Sequence, residues 1–157
     1  MLKLHQQAPE FSGLDHRQEP LKLASFRGKK MLVLYFYPKD DTPGCTLEAQ
    51  QFTELANAFA QLDTVVIGVS RDDCNSHLNF IEKYKLNVVL LADITGELCQ
   101  SYGVWQEKEK NGVKKMGVVR STFIIDKEGM LVDVMYGVSP DGHAQEILNR
   151  VQQLSSQ

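Results

Sequence analysis

A single cysteine closes the segment Pro38-Lys39-Asp40-Asp41-Thr42-Pro43-Gly44-Cys45, and Glu48 follows it three residues later. A cysteine does nucleophilic or redox chemistry as its thiolate, and the thiol is far weaker. The groups around Cys45 suit such an anion. Thr42 offers a hydroxyl, and Gly44 and Cys45 offer backbone N–H groups. Pro43 offers no N–H. No second cysteine stands at the C-x-x-C spacing on either side, where Thr42 and Glu48 are found instead. A tyrosine-phosphatase loop needs an arginine six positions after its cysteine, and Gln51 stands there. The chemistry that remains is that of a lone activated thiolate.

The flanking elements explain how the thiolate is activated. Met31–Tyr37 is a continuous apolar run, the pattern of a strand buried on both faces. Pro38, Pro43 and Gly44 break it into a loop. From Thr46 the apolar residues Ala49, Phe52, Leu55, Ala56, Phe59 and Leu62 recur at helical spacing, which predicts a helix over 45–62. Cys45 then sits in a first helical turn, where unpaired N–H groups and the positive dipole end favour an anion.

Further along, Val65–Ser70 reads as a second buried strand. Asp73 is placed to cap a helix to Lys85, with Leu78, Ile81 and Tyr84 facing inward. Val88–Leu91 is a short strand, and Glu97–Tyr102 a brief helix. Val118–Ile125 and Met130–Tyr136 are strands around the turn Asp126–Gly129. A last helix spans 142–154. The first thirty residues are turn-rich, with extended pieces near Phe11–Leu14 and Leu21–Leu23. A helix crossover between the first two core strands makes them parallel, and the final hairpin is antiparallel. The pattern is α/β with a mixed sheet. Cys45 falls at the carboxyl ends of the strands, where such sheets usually bind ligands. Arg120 lies in the apolar run Val118–Phe123, where a guanidinium must find a partner or an edge.

The chain has 157 residues, with 43% apolar and 24% charged residues and a net charge of -3. That suits one domain over residues 1–157 with a real core. No basic stripe speaks for nucleic acid. Lys108, Lys110, Lys114 and Lys115 are interleaved with Glu107 and Glu109 around Asn111-Gly112, a solvated hairpin or loop. No apolar leader or membrane-length stretch is found, and three scattered cysteines do not resemble a secreted disulfide framework. A reducing cytoplasm is expected. His5, His16, His77 and His143 are scattered without metal-ligand spacing, so no metal, haem or flavin is expected. Asp40 and Asp41 read as a solvated loop.

The string "YFYPKDDTPGCTLEA" resembles the peroxiredoxin active site, in particular that of the bacterioferritin-comigratory, or Q-type, branch. "VVIGVSRDD", "LLADITGELCQSYGVW" and "VVRSTFIIDKEGML" resemble that family's later segments in order. The resemblance implies a thioredoxin-like fold: a mixed central sheet flanked by helices, with an N-terminal extension. It implies a thiol-dependent peroxidase in which Cys45 becomes a sulfenic acid. Thr42, Gly44 and Arg120 would hold the peroxide, Pro38 would shield the thiolate, and Glu48 would orient Arg120. Thioredoxin, or glutaredoxin with glutathione, would supply electrons, and the relatives are commonly monomeric.

The chain departs from that family in its resolving thiol. Many Q-type members carry a second cysteine five residues after the first, where Gln50 stands, and others carry it at the place of Ile81. Cys74 shares the Ile81 helix face about 10 Å nearer the N-terminus. It is a candidate resolving residue that needs local unfolding to reach Cys45. Cys99 reads as a packed apolar position. The favoured cycle uses one cysteine and an external thiol, with Cys74 as the alternative. A peroxide sensor and a cysteine hydrolase with a histidine base are the competing classes. Neither an output domain nor a Cys–His motif supports them.

Overall fold

The computed structural model describes residues 1–156. The strands are β1 (Ser12–Asp15), β2 (Pro20–Lys22), β3 (Met31–Phe36), β4 (Thr64–Ser70), β5 (Val89–Ala92), β6 (Trp105–Lys110), β7 (Val113–Val118), β8 (Ser121–Ile125) and β9 (Leu131–Tyr136). The helices are α1 (Pro43–Glu54), α2 (Ala56–Gln61), α3 (Cys74–Tyr84), α4 (Glu97–Ser101) and α5 (His143–Ser155), with a 3-10 turn at Leu23–Phe26. Seven strands form one sheet in the order β2-β1-β5-β4-β3-β8-β9. The central strands β3, β4 and β5 are parallel, and β8 and β9 add antiparallel to one side. The mixed sheet flanked by helices is the architecture expected. The turn-rich N-terminal segment supplies β1 and β2, which extend the other edge through β5.

The alternating side chains of each central strand divide the core into two layers. Leu32, Leu34 and Phe36 face one side with Ile67, Val69 and Phe123, and are covered by Leu98, Tyr102 and neighbouring segments. Val33, Tyr35 and Tyr37 face the other side, under α1, α2, α3 and α5. Cys45 belongs to this second layer, packed with Ala49 and Phe52. Both faces of β3 are buried, which is why its sequence is continuously apolar rather than alternating.

Three expectations differ in detail. The helix over 45–62 is two helices, broken at Leu55 with φ -100° and ψ 7°. Thr53 Oγ1 donates back to Ala49 O at 2.8 Å, a bond that bends helices, and also accepts from Asn87 N at 2.9 Å. The run 118–125 is not one strand: β7 ends at Val118 and β8 starts at Ser121. On α3 the buried residues are His77 and Phe80, with Ile81 and Tyr84 partly buried beside them. The lysine-bearing stretch is an exposed hairpin, β6–β7.

Candidate active site

After β3, Tyr37 N bonds to Val69 O at 3.0 Å, holding the chain beside β4 for one more residue. Pro38 is exposed and has no N–H to continue the ladder. The following loop is latched from below by Asp40, which is 7% exposed. Its carboxylate accepts from Tyr37 Oη at 2.5 Å and from Ser76 Oγ at 2.8 Å, and lies 2.8 Å from His77 Nδ1. Its backbone N–H donates to Asp72 Oδ2 at 2.8 Å. Asp40 is therefore not a solvated loop residue, and this corrects the sequence expectation. Asp40, Asp72 and His77 offer ligand atoms within 4.8 Å of one another. Each of these groups is engaged in hydrogen bonds with protein, including His77 Nε2 with Leu91 O at 3.1 Å and Asp72 Oδ2 with Ser70 Oγ at 2.7 Å. Asp41 is exposed and pairs with Lys83 at 2.7 Å.

Thr42 is the N-cap of α1, and Pro43 takes the first helical position, where its missing N–H loses nothing. The Thr42 hydroxyl does not cap the helix; it donates to Lys39 O at 2.8 Å. Its proton is committed there, so towards a ligand it can act as an acceptor. Thr46 N bonds to Thr42 O at 2.8 Å, and the Gly44 and Cys45 N–H groups fall in the turn that lacks helical acceptors.

Cys45 is 2% exposed. Arg120 Nη2 donates to its Sγ at 3.4 Å, and Nη1 donates to Glu48 Oε1 at 2.6 Å. One guanidinium thus joins two residues one turn apart on α1. Arg120 reaches them because it lies between strands, where the chain leaves the β6–β7 hairpin and enters the sheet. Its carbonyl accepts from Val138 N at 2.9 Å, which ties it to the loop bearing Pro140. A Cβ on Gly44 would sit 3.2 Å from Arg120 Nη2 and 3.4 Å from Pro140 Cγ. Glycine at 44 leaves room for the guanidinium over the thiol.

The ion pair is asymmetric. Burial pushes the Glu48 carboxyl up to about 7, only partly offset by Arg120. Burial pulls the Arg120 guanidinium down, but Glu48 and Cys45 outweigh it and raise it. The carboxylate is wholly enclosed while the Arg120 side chain keeps 15% exposure, so the carboxylate bears most of the desolvation. On the same face His143 Nε2 lies 2.8 Å from Thr122 Oγ1, and burial pulls this imidazole down. No sequence spacing linked His143 or His77 to the site, because each partner comes from a different element.

The other thiols lie elsewhere. Cys74, half-buried at the start of α3, lines a groove with Phe11, Leu14, Ala92 and Ile94. Burial, then Asp15 and Asp73, push its thiol up. Cys99 is 0% exposed, and burial and a hydrogen bond with Asp93 push it higher still. All three cysteines are free.

Residues 4–134 match the model of the AhpC/TSA family. The peroxiredoxin Bcp of Bacillus subtilis is 42% identical over 154 residues, covering 98% of each chain. The chain belongs to the AhpC/TSA family and is a peroxiredoxin. Solved relatives of this peroxiredoxin include the bacterioferritin comigratory protein of Xanthomonas campestris, described with alkyl peroxide reduction activity. It is 33% identical with a TM-score of 0.87, over 92% of both chains. A variant of PrxQ from Xylella fastidiosa is 31% identical with a TM-score of 0.92, over 99% of this chain and 98% of that one. The sheet and helices are accordingly those of a thioredoxin-like fold, and the protein is a thiol-dependent peroxidase. Among the described residues, no helix of this peroxiredoxin is long and apolar enough to cross a membrane. Of the five residues singled out around the thiol, Arg120, Glu48 and Gly44 converge on Cys45. Thr42 and Pro38 flank it at the loop without a hydrogen bond to its sulfur.

Proposed function

We propose that Cys45 is the thiolate that reduces hydrogen peroxide and organic hydroperoxides. The observation that carries this reading is the Arg120 guanidinium donating to Cys45 Sγ at 3.4 Å above the first turn of α1. Sulfur attacks one peroxide oxygen; the S–O bond forms as the O–O bond breaks. Cys45 loses two electrons and becomes a sulfenic acid, while the other oxygen leaves as hydroxide or alkoxide and takes up a proton. Arg120 and the Gly44 and Cys45 N–H groups are donors aimed where negative charge develops. Thr42 Oγ1 accepts from the peroxide O–H, and Pro38 rims the opening. The alkyl peroxide activity ascribed to the Xanthomonas campestris relative supports the organic substrates.

An external thiol then attacks the sulfenic sulfur, releasing water and leaving a mixed disulfide that a second thiol clears. Thioredoxin, or glutaredoxin with glutathione, fits this role in a monomer of the cytoplasm. The groove position and raised thiol of Cys74 speak against an internal partner. The test is intact-protein mass spectrometry after one equivalent of hydrogen peroxide, with and without dimedone, beside Cys45→Ser. A dimedone adduct on Cys45 is expected, with Cys74 free. A Cys45–Cys74 peptide lighter by two hydrogens would make Cys74 the resolving residue. Undiminished peroxide consumption by Cys45→Ser would remove the reading of Cys45.

A further inference from the structure

Two buried polar side-chain atoms lack a hydrogen-bond partner among the described residues: the Tyr35 hydroxyl and Glu48 Oε2. Leaving such atoms unbonded is costly, and native folds rarely tolerate it without a use. Both atoms belong to the layer beneath Cys45. The Tyr35 ring stacks on Phe52 with centroids 4.7 Å apart and planes at 20°. Phe52 lies one turn after Glu48 on α1, so Tyr35 packs against the helix that carries Glu48 and Cys45.

The ring has been given its place by the neighbouring strand. Tyr35 is in register with Gly68 of β4. A Cβ there would come within 2.7 Å of Tyr35 Cζ and 2.8 Å of its hydroxyl oxygen. A phenylalanine would fill the same space, so packing supplies no reason for the oxygen. Burial first, then Glu48 and Cys45, push the phenol well above its ordinary range, so the hydroxyl keeps its proton. It is therefore a donor. Glu48 Oε1 is taken by Arg120, and Oε2 is the free acceptor.

We propose that Tyr35 is a positioning residue of the peroxide reaction, its hydroxyl donating to one buried water that donates in turn to Glu48 Oε2 and so holding Arg120 against Cys45. Neither atom has a protein partner among the described residues, so the water finds an open donor in the Tyr35 hydroxyl and an open acceptor in Glu48 Oε2. This inference rests on the reading of Cys45 as the peroxide-reducing thiol. The titratable and charged groups around Glu48 are Arg120 from the β7–β8 junction, Cys45 from its own helix and Tyr35 from β3. Asp40 acts on Tyr35 from the loop before α1, and Arg120 acts on His143 of α5.

The experiment compares wild type, Tyr35→Phe, Glu48→Gln and the double variant, all as the full chain. Carbon-13 NMR follows the Glu48 carboxyl against pH in the reduced protein, and stopped flow follows the second-order reaction with hydrogen peroxide. Loss of a donor to the carboxylate favours its protonated form. Tyr35→Phe is expected to raise the Glu48 midpoint by about one pH unit, tenfold in proton affinity, and to slow the reaction several-fold near neutrality. In Glu48→Gln the amide turns its oxygen to Arg120, and the added Tyr35→Phe change has no further effect. A midpoint that stays or falls, or an equal slowing with and without Glu48, overturns the proposal. Cys45→Ser separates the two readings: if it still consumes peroxide, the thiol assignment fails, while the Glu48 titration still decides the Tyr35 contact.

Discussion

Arg120 binds Cys45 and Glu48 through two different nitrogens of one planar group. A lysine presents a single ammonium and cannot hold that fork. Arg120→Lys is accordingly expected to lower the second-order rate with hydrogen peroxide by about 100-fold, the usual cost of one lost charge-stabilising donor. Stopped-flow kinetics with Arg120→Lys check this; a loss below threefold would mean that charge alone suffices. That Arg120 needs a partner was legible from its apolar run, while the thiol as that partner was legible only through the family resemblance. Glu48 was legible only through the family resemblance, since a glutamate in a first turn is ordinarily a dipole complement. Its burial has a consequence for stability. Its carboxyl is raised to about 7 in the fold, against about 4.3 in an unfolded chain. Between those values the folded state holds the extra proton, so this group's contribution makes stability fall as pH rises through the window and level off above it. The contribution is on the order of 3 kcal/mol across the window. Urea unfolding at pH 5 to 8 should show this decline in wild type, and Glu48→Gln should flatten the slope.

At the scale of elements, the β3–loop–α1 unit was readable because each signal was local: an apolar run, two prolines, a glycine and a helical period. The break at Leu55 was not readable, because it depends on Thr53 bonding both within its helix and to Asn87. The gap between β7 and β8 was hidden for a similar reason. Val119 N bonds to Val104 O, and Arg120 O accepts from Val138 N, so both residues pair outside the sheet that their apolar neighbours join. Gly68 shows the same dependence within a strand. Its sequence context says buried strand, yet its lack of a side chain is required by Tyr35 and Leu90 on the strands to either side, each within 2.8 Å of a built Cβ. Those contacts are with a ring stacked on Phe52 and a core leucine, neither able to swing into solvent. Gly68→Ala is expected to destabilise the fold by about 1–3 kcal/mol, the range for overpacking a tight core. It should also slow the peroxide reaction by displacing the Tyr35 ring. Thermal and urea unfolding beside peroxide kinetics would check both; unchanged stability would mean that the layer yields more easily than its contacts suggest.

Across the whole molecule, the placement of the three thiols bears on the proposed cycle, in which an oxidised Cys45 has to be reduced. The sequence put Cys45 and Cys74 after neighbouring parallel strands, and both do begin helices there. What it did not carry is the direction in which each side chain faces, because that follows from partners far along the chain. Cys45 faces Arg120, on the β8 side of β3, while Cys74 lines a groove towards β1 and β5 on the far side of β4. A disulfide needs Cβ atoms about 4 Å apart, and we expect two thiols that face opposite ways to reach it only when a helix start opens. Both helix starts are held. Asp73 Oδ1 accepts from Ser76 N at 2.8 Å, and His77 and Ser76 bind Asp40 in the loop before α1. The same latch that sets the active-site loop thus also holds the helix start that carries Cys74. Native protein treated with one equivalent of hydrogen peroxide should yield the Cys45 sulfenic acid with little Cys45–Cys74 bond. Asp40→Asn weakens the latch, and asparagine's amide cannot accept the bonds made by both carboxylate oxygens. That variant should raise the yield of the Cys45–Cys74 peptide several-fold, because local opening of the first turn of α3 costs less. Non-reducing peptide mapping of both proteins measures it. Equal, near-complete disulfide in wild type and variant would show that the two thiols meet without any opening of the latch.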